Sequence, residues 1–104
     1  MKVLNACKHA QDRARMRIMG GESLSNEKIN EYCATAEARG LDSKTIKNRR
    51  LRQYLSRIAK KYNYTSEYRI FGGYIFIISK ESHTVITIYS VPEYAVYEKN
   101  YGAL

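Results

Sequence analysis

The sequence predicts an α+β fold in which N-terminal helices pack on a C-terminal antiparallel sheet of three to four strands. One observation is the run from Tyr68 to Val91, YRIFGGYIFIISKESHTVITIYSV, the only stretch dense in β-branched and aromatic residues. A second is the region before it, where apolar residues recur at spacings of three and four rather than two. The third is length: 104 residues predict a single domain over 1–104, able to bury roughly two-thirds of its unfolded surface without disulfides.

Within the strand-rich run, Gly72-Gly73 is a two-residue hairpin signal. Closing it predicts strands over about 67–71 and 74–79, with Phe71 opposite Tyr74, Arg69 opposite Phe76 and Tyr68 opposite Ile77. A four-residue turn, Lys80 to His83, predicts a third strand over about 84–91, with Phe76 opposite Thr87, Tyr74 opposite Tyr89 and Ile75 opposite Ile88. Alternation then collects Tyr68, Ile70, Ile75, Ile77, Ile86 and Ile88 on an apolar face that a helix should cover. The other face collects Arg69, Phe71, Tyr74, Phe76, Val85, Thr87 and Tyr89, a mixture suited to a shallow binding site. Pro92 should end the third strand, since it cannot donate to a ladder. Residues 93–104 read either as a short edge strand or as an ordered tail.

Three helices are expected, over about 2–19, 26–39 and 43–62. In the first, Val3, Cys7, Ala10, Ala14 and Ile18 form one apolar stripe, and His9, Arg13 and Arg17 form a row beside it. Such a row fits a solvated face or a site where helix meets sheet. The second has an N-cap between Ser23 and Ser25, buries Ile29, Tyr32, Cys33 and Ala36, and stops at Gly40. Asp42 or Ser43 caps the third, whose buried side is Leu51, Tyr54, Leu55, Ile58 and Tyr62. Its remaining sides carry Lys44, Lys47, Arg49, Arg50, Arg52, Arg57, Lys60 and Lys61.

Charge is localised in that third helix. The chain has 18 basic and 10 acidic residues, a net charge of +8 and a pI near 9.6. From Arg39 to Arg69 there are ten basic residues against two acidic ones, a surplus equal to the net charge of the whole protein. A surplus of that density predicts a polyanionic partner, and phosphate contacts by these side chains would make nucleic-acid binding steeply salt-dependent. Tyr74 and Tyr89 are candidate base-stacking rings on the mixed sheet face. Cys7 and Cys33 lie far apart with no CxxC spacing, which predicts free thiols and a reducing, cytoplasmic setting. No run has transmembrane length and no leader pattern begins the chain, so no membrane partner is expected. No carboxylate cluster suggests a metal, and no cofactor is expected. His83, in a turn between charged neighbours, reads as a surface residue.

Three segments together resemble a known family: His9-Ala-Gln-Asp-Arg13-Ala-Arg-Met-Arg17, the run from Tyr68 to Ile78, and Val85-Ile86-Thr87-Ile88-Tyr89. They are similar to the small metal-independent ribonuclease-like fold shared by barnase, EndoU, colicin-type tRNases and RelE-type toxins. The resemblance runs along most of the chain, helices first and strands last. It departs at 42–64, a basic insertion where compact members have a short helix and loop. It implies an endoribonuclease-like toxin with His9, Arg13 and Thr87 at the active positions and Arg69 and Tyr89 beside them. The chemistry is coherent: a histidine moves protons near neutral pH, and placed arginines stabilise charge on the phosphate oxygens. Convergence of His9, Arg13, Arg69 and Thr87 on one phosphate-sized site is therefore expected. It requires the first helix to sit at a sheet edge or the sheet to curl around it.

The resemblance also implies RNA as the substrate and an acidic immunity or antitoxin protein as partner. The alternative is a non-enzymatic nucleic-acid binder, or an inhibitor carried by a phage or other mobile element. It would act on nucleic acid or on a nucleic-acid-handling complex through Arg17, Lys47, Arg49, Arg50, Arg52, Arg57, Lys60 and Lys61. A third class, a module for an acidic protein surface, accounts for the charge and leaves the sheet face unused.

Overall fold

A computed structural model describes residues 5–18, 21–42, 44–46, 48–62 and 66–92. In chain order the elements are β1 (Asn5–Ala6), α1 (Lys8–Arg17), a 3-10 turn (Gly21–Ser23), α2 (Asn26–Arg39), α3 (Arg49–Tyr62), β2 (Ser66–Phe71), β3 (Tyr74–Ser79) and β4 (Thr84–Ser90). The class is α+β, helices first and most of the sheet last. The sheet has four strands in the order β1-β4-β3-β2. Its fourth strand comes from the N-terminus and runs parallel to β4, with Asn5 beside Thr84 and Ala6 beside Val85. The expected tail, 93–104, lies outside the described residues.

The first helix is shorter than its apolar spacing suggests. Ala6 donates its amide to the Asn30 side chain at 2.9 Å, and the Cys7 amide donates to Val85 O at 3.0 Å. Those bonds hold Asn5–Ala6 extended, and the helix starts at Lys8 behind an extended Cys7 that offers no side-chain cap. Ala10, Ala14 and Ile18 are buried as the stripe requires. The second helix has the expected limits, because both of its ends are written locally. Ser25 Oγ accepts the Lys28 amide at 3.2 Å, and Gly40 closes the far end. A Cβ at Gly40 would stand 2.3 Å from Ala36 O and 3.0 Å from Ile70 O, so only glycine lets the strand pass.

The third helix begins six residues later than expected. Asp42 Oδ1 accepts the amides of Lys44 and Thr45 at 2.9 and 3.2 Å, closing a side-chain-stabilised turn rather than capping a helix. Asn48 is the residue that caps: its Oδ1 accepts the Leu51 amide at 3.0 Å. Between the two turns Ile46 is buried with Leu51 and Leu55.

Register in the first hairpin is as the turn predicts, with Phe71 opposite Tyr74, Arg69 opposite Phe76 and Tyr68 opposite Ile77. Gly72 and Gly73 take φ of 60° and 86°, the two left-handed residues that a tight hairpin of this kind needs. The second pairing differs by one residue. Phe76 faces Ile88, Ile75 faces Tyr89 and Tyr74 faces Ser90, with a bulge at Ile77/Ile78 that leaves Ile86 extra on β4. A four-residue turn does not pin register as a two-residue turn does, and the bulge absorbs the offset. Val91 then leaves the strand to bond Gly73 O.

Both faces of the sheet are covered, which corrects the expectation of one open, mixed face. Phe76, Ile78, Val85 and Ile88 pack under α1 and α2 with Ala10, Ala14, Ile29, Cys33 and Ala36. Tyr68, Ile70, Ile75 and Ile77 pack under α3 with Leu51, Leu55 and Ala59. The shift moves Ile88 from the α3 side to the α1/α2 side. Each fully buried isoleucine, leucine or phenylalanine here contributes about 1.5–3 kcal/mol, so the two cores hold the helices in place.

Candidate nucleic-acid interface

The fold divides α3 along its length. Leu51, Leu55 and Ala59 are buried against the sheet, while Arg49, Arg50, Arg52, Arg57, Lys60 and Lys61 are all exposed. At about 100° per residue these six cations fall on one half of the helix and the apolar residues on the other. The helix contains no acidic residue. Gln53 and Ser56 are exposed within the basic half, and they line a shallow groove with Arg49, Arg52, Arg57 and Lys60. Fourteen residues give a helix about 21 Å long, the span of about six phosphates along one strand at about 3.4 Å each. Gln53 and Ser56 were not among the sequence candidates, although their four-residue spacing from Arg49, Arg52 and Lys60 is a readable signal. The Lys47 side chain lies outside the described residues.

The four residues expected to form a catalytic centre do not assemble. His9 is exposed on α1, and Arg13 Nε donates to its Nε2 at 3.5 Å, while Arg13 Nη1 reaches Met16 Sδ at 3.7 Å. Those contacts stay within α1, which packs on β4. Arg69 lies on β2, the far edge of the sheet. Its guanidinium donates to Tyr68 O at 2.9 Å and pairs with Glu67 at 3.6 Å. Thr87 faces Ile77, on the α3 side, and is 1 % exposed. The sheet therefore stands between Thr87 and α1. Its Oγ1 has no hydrogen-bond partner among the described residues.

The remaining candidates are structural in this arrangement. Arg17 donates to Ile88 O and lies 4.8 Å over the Tyr89 ring. With the Cys7 thiol, which donates to Ile86 O at 3.2 Å, it satisfies carbonyls along β4 beyond the short β1. Tyr74 packs against the α1/α2 core and Tyr89 against the α3 core; neither belongs to the outward half of α3. Burial raises the Tyr32 phenol, and Tyr74 adds to the effect. Burial also pushes the Cys33 thiol up to about 12, with Cys7 contributing, and both cysteines are free thiols. His83, expected as a plain surface residue, pairs with Glu37 at 2.7 Å and ties the β3–β4 turn to α2.

A second hollow lies beside α3, between its C-terminal half, the residues Asp42 and Lys44, and β2. Lys44, Lys60, Arg69 and Lys80 line it together with Asp42 and Glu67. Slight burial pushes the Asp42 carboxyl up, but the Lys44 and Thr45 amides, the Thr45 hydroxyl and the Arg69 guanidinium outweigh it and hold the group below its usual value. Nothing in the sequence announces this hollow, because its residues come from four separate segments. Among the described residues no group of three or more metal-ligating side chains occurs, and no helix is long and apolar enough to cross a membrane. Comparison with known proteins returned no matching family model, curated protein or solved structure. The ribonuclease resemblance thus rests on its short motifs alone.

Proposed function

We propose that the protein binds nucleic acid without cutting it, through the outward half of α3. The observation that carries this reading is the exposure of all six basic side chains of a helix that has no carboxylate of its own. Solubility does not require such one-sided charge; phosphates carry the matching counter-charge, and pairing with them releases their condensed counterions. A basic amphipathic helix is also the signature of a membrane-surface anchor. Here Leu51 and Leu55 are fully buried in the core, so the apolar half is not free to enter a lipid interface. The ribonuclease reading requires a proton-transfer group and phosphate donors on one site, and only His9 and Arg13 are neighbours.

The test is a salt titration of binding. The protein should bind short RNA or DNA with an affinity that falls linearly on a log–log plot against salt. Replacing Arg49, Arg50 and Arg52 with alanine should flatten the slope by up to about 0.9 for each duplex phosphate left without its cation. Thermal stability should stay within about 0.5 kcal/mol, as for surface changes. A slope unchanged by the triple replacement removes α3 from the interface.

A further inference from the structure

We propose that the hollow beside β2 receives the terminal phosphate of a nucleic-acid strand whose backbone lies on α3; the inference rests on the nucleic-acid reading above. The hollow has a volume of about 490 Å³, within the range of sites that hold a small ligand. Three exposed lysines reach it from three segments: Lys44 from the turn before α3, Lys60 from α3 and Lys80 from the β3–β4 turn. The two carboxylates in the same hollow are already engaged. Glu67 pairs with Arg69 at 3.6 Å, and Asp42 takes the amides of its own turn. None of the three ammonium groups forms an ion pair among the described residues.

Shape separates this hollow from the rest of the basic surface. Along α3 the cations border a shallow, more open groove, each suited to the single charge of one internal phosphodiester. In the hollow, basic side chains from four segments line one more enclosed space, which suits a group of higher charge. A terminal phosphomonoester carries about −1.5 to −2 at neutral pH and three strong acceptor oxygens. Ser66 also lines the hollow, and its Oγ is shielded from solvent with no partner among the described residues. Ser56 and Lys60 line both the hollow and the α3 groove. A strand following α3 toward its C-terminus therefore arrives at the hollow, where a free end fits.

The experiment compares short single-stranded RNAs of one sequence, internally labelled, with a 5′-phosphate, a 3′-phosphate or hydroxyls at both ends. Binding is measured by fluorescence anisotropy to the full chain and to the Lys44→Ala/Lys80→Ala variant. Phosphate at one end should tighten binding by about tenfold, the effect of a charge-assisted hydrogen bond. The double variant should lose that advantage, read as the ratio of its affinities for the phosphate-ended and hydroxyl-ended strands. Equal affinity for all three ends, or an advantage that survives in the variant, overturns the inference while leaving α3 as the binding surface. Failure of every strand to bind overturns both readings. Adenosine monophosphate serves as competitor. If it binds the hollow more tightly than any phosphate-ended strand, the ligand is a free mononucleotide and the strand-end assignment is overturned.

Discussion

Helices α2 and α3 are each 14 residues long and pack on the same sheet, yet they carry charge in different ways. In α2, Glu27, Glu31 and Glu37 are mixed with Lys28 and Arg39. Lys28 pairs with Glu31 at 3.4 Å, and Glu37 with His83 at 2.7 Å. Its surface therefore carries both signs of charge. In α3 the outward half is basic throughout. Packing does not explain the contrast, because both helices bury an apolar side equally well: Ile29, Cys33 and Ala36 in one, Leu51 and Leu55 in the other. The difference lies wholly on the surfaces turned away from the core, where folding imposes the fewest constraints. In the reading proposed above, that one-sided surface is the one a polyanionic partner would cover.

The largest effect that would break this comparison is catalytic. Purified protein incubated with total RNA in chelator should leave it intact. Cleavage that falls about 10²–10⁴-fold in His9→Ala, the effect of losing a general acid–base group, would move the function from α3 to α1. Next in size is the core that presents α3. Leu55→Ala should cost about 2–5 kcal/mol in denaturant unfolding, and nucleic-acid binding should fall only in proportion to the unfolded fraction. Binding abolished in a fully folded Leu55→Ala protein would mean that the exact seating of α3 is part of recognition.

Thr87 tests the other half of the catalytic expectation. Its buried hydroxyl has no partner among the described residues, a state that costs about 1–3 kcal/mol. Thr87→Val, which keeps the shape, should raise the unfolding midpoint or leave it unchanged, and binding should not change. A stability loss would show that the hydroxyl has a partner in solution. The smallest effect sharpens the comparison directly. Ser25→Ala and Asn48→Ala remove the caps of α2 and α3 and should each cost about 0.5–2 kcal/mol. Only Asn48→Ala should also weaken RNA binding, because only α3 presents the charge; equal effects on binding would make both helices part of one interface.

The features legible in the sequence are those determined over a few residues. Gly72-Gly73 closes its own turn and so sets the β2–β3 register, and Ser25 and Gly40 delimit α2 without help from the rest of the chain. The division of α3 into apolar and basic halves is likewise a matter of spacing. Tertiary structure decided what depends on distant partners. Asn5–Ala6 becomes a strand because β4 offers it a ladder, although its apolar spacing reads as helix. The β3–β4 register follows from packing on both faces, since a four-residue turn leaves it open and a bulge can absorb one residue. Arg17, indistinguishable in sequence from its neighbours in the His9 row, becomes a cap on the Ile88 carbonyl. Lys44, Lys60 and Lys80 meet only after folding, because electrostatic convergence depends on separation in space, and their separation along the chain carries no information about it.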